Sequence, residues 1–441
     1  MNTIPLIRHD SGDTPFAYRG AEVISANQFL WDVSRLASAL PDGRHVLNLC
    51  ADRYHFIVGF AAALLRQHIS LLPPNQTPHL IDELTVKYPD VYCLTDTSTK
   101  HPLLDTLFYP QPTQATSAKQ EIPGIPSAQI AAIVFTSGSS GQPLPFQKTW
   151  SGLAKSAIAA ARRFGIRADS EMCILGTVPP QHMYGLESTA LIVMQNGLAM
   201  HAERPFYPAD ICTQLAASPR PRGLVTTPVH LRALLAEYTA LPSLDFLLCA
   251  TAPLTPQLAA EAEAKFATPL YEIYGCTEAG QIATRRTVTQ PEWHVYPDIQ
   301  LRQDEQGTWV GGGHIETEII LNDIIELRSP ETFLLHGRSA DLINIAGKRT
   351  SLAHLNYHLN SIIGVRDGVF IMPEKEEHEA ARLMAFVVAP GLTSEVILSA
   401  LRLRIDAAFL PRPLRFVDVL PRNATGKLPH AALTELVSQF R

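Results

Sequence analysis

The densest cluster of chemically useful side chains is Thr136-Ser137-Gly138-Ser139-Ser140-Gly141-Gln142-Pro143, set directly after the apolar run Ile130–Phe135. Hydroxyl residues interrupted by glycine give a loop with many donors and little bulk. Such a loop can wrap phosphate oxygens with backbone N–H and hydroxyl groups. The G-x-x-x-x-G-K-[ST] spacing of a Walker A loop is absent, and the loop holds no G-x-S-x-G nucleophile elbow. Taken alone, the segment reads equally as a surface turn.

Three further motifs follow in order. Tyr274-Gly275-Cys276-Thr277-Glu278 continues a second apolar run. Gly337-Arg338 and Asp341 precede Gly347-Lys348-Arg349, and Pro421-Arg422-Asn423-Ala424-Thr425-Gly426-Lys427 stands near the end. In this order, and across residues 45 to 430, the four motifs resemble the adenylate-forming superfamily of acyl-CoA synthetases, nonribosomal adenylation domains and luciferases.

The resemblance implies ATP and Mg²⁺ as cofactors and a reaction in two steps. A carboxylate attacks the α-phosphate of ATP to give acyl-AMP and pyrophosphate, and a thiol then displaces AMP. Attack of one anion on another needs fixed donors and cations around the phosphates. By the same resemblance, Thr136, Ser137, Gly138, Ser139, Ser140 and Gly141 form the phosphate loop. Thr277 touches the α-phosphate, and Glu278 ligates Mg²⁺. Tyr274 and Gly275 face adenine beside Ala250-Thr251-Ala252-Pro253. Asp323 and Arg338 hold the ribose, and Lys427 bridges carboxylate and α-phosphate during adenylation. His182, in Pro180-Gln181-His182-Met183-Tyr184-Gly185, matches a position between the ATP and acyl sites.

Each match has a plainer counterpart. Glu278 suits the start of a helix, where the dipole favours an acid. Asp323, in Asn322-Asp323-Ile324, suits an ordinary turn, and Gly426-Lys427 a solvated one. His182 suits a satisfied structural histidine. His354 and His358 lie four apart on a helix, a metal-compatible spacing, but no third ligand is in view and a solvent-facing role is expected.

Two departures from the family pattern stand out. Leu144 occupies the place of the usual loop lysine, so the next cation, Lys148, is expected to take over part of the phosphate contact. Ala340 stands where the hinge acid is usual, with Asp341 beside it. The acyl pocket implied by the resemblance includes Thr226, Thr227, Pro228, His230 and Leu231, with Thr251, Ala252 and Cys276. Threonine, histidine and small groups suit a compact acid with a polar substituent better than a long alkyl chain. The Lys148-Thr149-Trp150 segment looks most like ligases of aryl-polyene and xanthomonadin pathways, which implies a hydroxybenzoate-like acid passed to an acyl carrier protein. A small-acid acyl-CoA synthetase is the alternative, and Arg404, Arg412, Arg415 and Arg422 suit an acidic carrier protein or the phosphates of CoA. A non-catalytic adenylate sensor is an alternative of another class, favoured by Ala340 and Leu144. Thr277, Glu278, Asp323, Arg338 and Lys427 oppose it.

Positioning these residues requires an α/β frame. Helical periodicity over Asn27–Leu40, Tyr54–Gln67 and Leu80–Tyr88 alternates with strand-like runs at His45–Leu49, Ile69–Leu72 and Val91–Leu94, the pattern of a parallel sheet covered by helices. Tyr109–Ser127 reads as a surface loop, and Ser151–Phe164 as a helix. Further strands are expected at Met172–Val178, Leu198–His201, Gly223–Thr226, Phe246–Cys249 and Leu270–Ile273. Short β segments fill Trp293–Leu335. A compact α+β unit then follows, so residues 1–338 are expected to form a large adenylation domain and residues 339–441 a small mobile lid carrying Lys427.

The 441 residues suffice for two to four domains, and 46% hydrophobic with 18% charged content excludes wholesale disorder. A net charge of −6 without basic runs excludes nucleic acid as an expected partner. The longest apolar run, Phe56–Leu65, is far short of the roughly 20 residues of a membrane span. No basic segment followed by an apolar one opens the chain, so no signal peptide is expected and the location is read as cytoplasmic. Cys50, Cys93, Cys173, Cys212, Cys249 and Cys276 contain no C-x-x-C pair and read as reduced structural thiols.

Overall fold

The computed structural model describes all residues except 1, 99, 101, 111–118, 136–143, 168–169, 239, 339–341, 346–347, 373–382, 424–425 and 441. The expected phosphate loop and the hinge pair Ala340-Asp341 therefore lie outside the described residues.

Two sheets frame the larger part of the molecule. The first has six strands in the order Pro145–Thr149, Ile130–Phe135, Ile69–Leu72, His45–Asn48, Val91–Thr95, Thr106–Phe108. It is parallel except for Pro145–Thr149, which folds back antiparallel on Ile130–Phe135. The second has eleven strands, and its centre is the parallel series Leu270–Cys276, Phe246–Cys249, Arg222–Thr226, Cys173–Gly176, Ala199–His201. The fold is α/β, as the alternation of patterns predicts.

Helices between the sheets seal them. Ala26–Ala39 starts where the Ser25 hydroxyl accepts the Gln28 amide, and Trp150–Phe164 where the Thr149 hydroxyl accepts that of Gly152. The second helix ends at Gly165 with φ 67°, a left-handed cap that glycine adopts without strain. Arg53–Leu65 is apolar on nearly every side. It lies buried in one core that joins Val46, Leu72 and Leu94 of the first sheet to Ile174, Val225 and Leu248 of the second. This helix contains the longest apolar run, and among the described residues no helix is long and apolar enough to cross a membrane.

After Arg338 the chain builds a separate three-stranded sheet, Asp367–Ile371, Met384–Val388, Leu414–Phe416, with its own cores on its two faces. Neighbours along a strand alternate between those faces: Phe370 joins Leu355 and Leu401, while Val369 joins Phe386 and Leu436.

Two expectations need correction. Gly124–Pro126, read as part of a loop, is a strand paired antiparallel with Thr3–Pro5. Leu270–Ile273 is longer than expected and runs on to Cys276, so Tyr274-Gly275-Cys276 lies within the strand. The extension is held by antiparallel pairing with Gly280–Arg285, which resumes beyond a bulge between Tyr274 and Gly275. All six cysteines are free thiols.

Candidate active site

Four neighbouring parallel strands end side by side, and the segments leaving their carboxyl ends carry most of the expected site, the usual place for a ligand in an α/β sheet. Cys173–Gly176 leads to His182, Arg222–Thr226 to the Pro228–Glu237 helix, Phe246–Cys249 to Thr251 and Ala252, and Leu270–Cys276 to Thr277 and Glu278.

Gly275 is forced by packing at the end of the last strand. A Cβ there would lie 2.3 Å from the Gly280 carbonyl and 3.1 Å from the Gln281 Cα. The close crossing turns the chain so that Cys276, Thr277 and Glu278 are only partly covered. Burial, with Glu278 alongside, pushes the Cys276 thiol up to about 12, so it is no nucleophile at neutral pH.

Tyr274 is buried against Phe333 and Trp293, and its hydroxyl donates to Asp323 at 2.7 Å. Asp323 is opposite Arg338 in the backbone register of two adjacent strands. Residues expected around adenine and ribose thus meet in one place, joined by a hydrogen bond that spacing does not foretell.

Lys148 reaches the same turn from the first sheet. Its ammonium donates to the Glu278 carbonyl, while the neighbouring Leu144 is 55% exposed. Burial lowers the Lys148 pKa, and Glu187, Cys276, Glu278 and Glu316 oppose that shift. Glu187 was not singled out in the sequence. It is buried in the Leu186–Leu191 π-turn, accepts from the Ser156 hydroxyl at 2.6 Å, and burial raises its carboxyl to about 7. Its signal was an acid shortly before the apolar run Ala190–Met194.

His182 occupies the N-cap of a short helical turn, and burial with Lys427 and Arg204 nearby lowers its pKa to about 4. The turn is held from below by Arg53, a second residue the sequence reading missed. Fully buried, Arg53 donates to the Gly176 carbonyl at 2.7 Å, to the Val178 carbonyl at 3.0 Å, and to the Thr189 hydroxyl. Gln181 adds a bond to the Cys50 carbonyl at 2.8 Å.

The expected acyl residues divide by exposure. Thr226 is fully buried; its hydroxyl lies 3.0 Å from that of Thr177, and its carbonyl accepts from Tyr184. His230 holds Thr227 and Thr177 through Nδ1 at 2.9 and 3.2 Å, while its buried Nε2 has no hydrogen-bond partner among the described residues. Burial and Arg204 lower its pKa to about 4, so it is a neutral imidazole. Phe206 meets its ring edge-on, with centroids 5.3 Å apart.

The C-terminal part of the chain brings Lys427 to this surface. Gly426, at φ +77°, has its Cβ position 3.1 Å from Val229 and 3.9 Å from the Thr251 hydroxyl. Arg422, expected among the basic residues for a carrier protein or CoA, instead ion-pairs with Asp367 at 2.6 Å within the same C-terminal part. His354 is exposed with its ring 4.5 Å from that of His358, and no group of three metal-ligating side chains occurs among the described residues.

Residues 9–311 match the family model described as AMP-binding enzyme. The chain is 27% identical over 305 residues to a 4-coumarate–CoA ligase of Rhodobacter capsulatus, covering 68% of this chain and 75% of the relative. It is 27% identical over 360 residues to a 2-succinylbenzoate–CoA ligase of Bacillus cereus, covering 71% of each. Among solved structures, ATP-bound MatB of Rhodopseudomonas palustris superimposes with a TM-score of 0.82 at 17% identity, over 98% of this chain and 97% of that one. O-succinylbenzoate coenzyme A synthetase of Bacillus subtilis with ATP and magnesium gives 0.80 at 18% identity, over 95% and 96%. At these identities the superpositions establish the fold.

Proposed function

The chain belongs to the AMP-binding enzyme family and is an AMP-forming acid–thiol ligase, and from that premise we propose that its acid is an aryl carboxylic acid of hydroxybenzoate type. A carboxylate oxygen attacks the α-phosphorus of ATP, and the bond from that phosphorus to the bridging oxygen of pyrophosphate breaks. The thiol sulfur then attacks the acyl carbon of the mixed anhydride, its proton passes to solvent, and AMP leaves.

The observation that carries the adenylation step is the seating of the Gly426-Lys427 turn on Val229 and Thr251, beside His182. A cation placed between the acyl and nucleotide ends offsets the repulsion of two anions, which is the main barrier to adenylation. Thr277 would offer its hydroxyl to the α-phosphate. The partly exposed Glu278 carboxylate fits Mg²⁺, which is commonly held by one or two carboxylates with phosphate oxygens and water completing the shell. Magnesium would supply charge neutralisation on the phosphates. Tyr274, tied to Asp323, would wall the nucleoside side, with Arg338 across the strand pair.

The acid end supports a compact substrate bearing a polar group. The unpartnered His230 Nε2, the edge-on Phe206 and the nearby Arg204 are poor neighbours for a long alkyl chain. CoA as acceptor is supported by the relatives named as CoA ligases. Acyl carrier protein is supported by the Lys148-Thr149-Trp150 resemblance and by Arg412 and Arg415, which are exposed.

The test is pyrophosphate release with ATP and Mg²⁺ over hydroxybenzoates, cinnamates and fatty acids, followed by CoA or phosphopantetheinylated carrier protein. Hydroxybenzoates should lead. Lys427→Ala should lower release by about 100-fold or more, the scale of losing one preorganised charge-stabilising group. A Lys427→Ala enzyme as active as the parent would overturn the role of Lys427. Preference for fatty acids would overturn the aryl reading, and nucleotide binding without release would favour the sensor.

A further inference from the structure

The lid presents Lys427 through a chain of charged contacts that begins in the larger part of the molecule. Arg422 grips Asp367 with two parallel bonds, Nε to Oδ2 at 2.6 Å and Nη2 to Oδ1 at 2.7 Å. Its remaining nitrogen, Nη1, donates to the Gly426 carbonyl at 2.8 Å, the peptide that leads into Lys427. The planar guanidinium has a fixed fork, so holding a carboxylate on one edge sets the direction of the other. Asp367 opens the first strand of the lid sheet.

Arg232 reaches the same carboxylate from outside the lid. It projects from the Pro228–Glu237 helix and approaches Asp367 Oδ1 at 3.7 Å, with 24% and 17% of the two side chains exposed. Three residues earlier on that helix, Val229 packs against Gly426. The helix therefore touches the lysine turn directly through Val229 and reaches it indirectly through the ion pair to Asp367, and it also carries His230. Burial and Arg422 lower the Arg232 pKa while Asp367 opposes them, as expected of two half-buried cations sharing one carboxylate. Partly buried ion pairs contribute little net stability against apolar replacements, so their usefulness lies in orientation.

We propose that Arg232 and Asp367 are positioning residues for adenylation, fixing the direction of the Gly426-Lys427 turn through Arg422. The inference rests on Lys427 being the adenylation lysine. It adds that the pose of this lysine is set from the acyl-pocket helix, across the lid boundary. Displacement of about 1 Å at a reacting group can cost about 100-fold in rate, so loosening this chain should act on turnover more than on nucleotide binding.

The test uses the full chain with Arg232→Met and Arg232→Lys, and two readouts. First, amide exchange of Gly426 and Lys427, whose N–H groups bond the Asn423 carbonyl at 2.8 Å and its side-chain oxygen at 2.9 Å, needs no acid. It should quicken in Arg232→Met, recover in part in Arg232→Lys, and leave the lid cores unchanged. Unaltered exchange at the turn, or equally faster exchange throughout the lid, overturns the positioning. Second, with 4-hydroxybenzoate, ATP and Mg²⁺, pyrophosphate release by Arg232→Met should fall by about 10- to 100-fold in kcat with little change in the KM for ATP. Consumption of supplied 4-hydroxybenzoyl-AMP with CoA should be largely retained. Equal losses in both half-reactions overturn the proposal. If Lys427→Ala itself keeps adenylation, the reading of Lys427 falls, and the exchange data still decide whether Arg232 holds the turn.

Discussion

At the scale of single residues, the consequential feature is the buried ammonium of Lys148. Lys148 stands four residues beyond Leu144 and donates to the carbonyl of Glu278, the residue proposed for magnesium. Its charge is opposed by burial and supported by Glu187, Glu278 and Glu316. We expect Lys148→Ala to raise the KM for ATP by about 10- to 100-fold, the range for removing a hydrogen bond to a charged group. Isothermal titration with ATP and Mg²⁺ checks it directly, and an unchanged affinity would mean that Lys148 is structural. The substitution removes a donor from a main-chain carbonyl as well as a charge. Lys148→Arg should therefore restore more ATP affinity than Lys148→Met if charge at the turn matters, and no more than Lys148→Met if only packing does.

At the scale of elements, Gly275 links strand geometry to the site. Its position leaves 2.3 Å between a Cβ and the Gly280 carbonyl, a backbone atom that cannot swing aside. Gly275→Ala should cost about 1–3 kcal/mol by overpacking, read as a lowered urea midpoint, and should weaken nucleotide binding because Thr277 and Glu278 lie just beyond. Parent-like stability and binding would show that the crossing relaxes cheaply. The motif around Gly275 was legible as a motif, but not as a bulged strand. Periodicity reports which faces are apolar, whereas a register shift depends on the partner strand, here Gly280–Arg285. The same limit hid Gly124–Pro126, whose partner Thr3–Pro5 lies far away in sequence. Ile130–Phe135 and Phe246–Cys249 were legible to the residue, because a buried strand is a short apolar run ended by turn residues. Arg53 and Glu187 were overlooked for a related reason. Each stands among polar neighbours in sequence, and the groups that satisfy it lie on other elements.

At the scale of the whole molecule, buried titratable groups pull stability in opposite directions as pH changes. His9, His182, His230 and His314 each have a pKa lowered to about 4, chiefly by burial, so the native state refuses protons that the unfolded chain accepts up to the ordinary value of 6.5. Stability linked to these groups therefore increases as pH rises from about 4 to 6.5. Glu187 acts the other way. Raised from 4.5 to about 7, it keeps its proton in the native state after the unfolded chain has lost it, so its contribution falls as pH rises through that interval. His68, His201, His354 and His358 are shifted in the same direction as these four, and Asp32 in the direction of Glu187, so the histidines prevail and a net increase remains below 6.5. Glu187→Gln preserves the acceptor for Ser156 and removes the opposing titration. Between pH 4.5 and 6.5 its unfolding free energy should therefore climb more steeply than the parent's, by up to one proton, or about 1.4 kcal/mol per pH unit. Denaturant titrations across that range check this. Parallel curves would show that Glu187 is ionised in the native protein, with Lys148 holding its charge in the interior. Its carboxylate would then be a fixed negative charge behind the nucleotide turn and not a neutral acceptor.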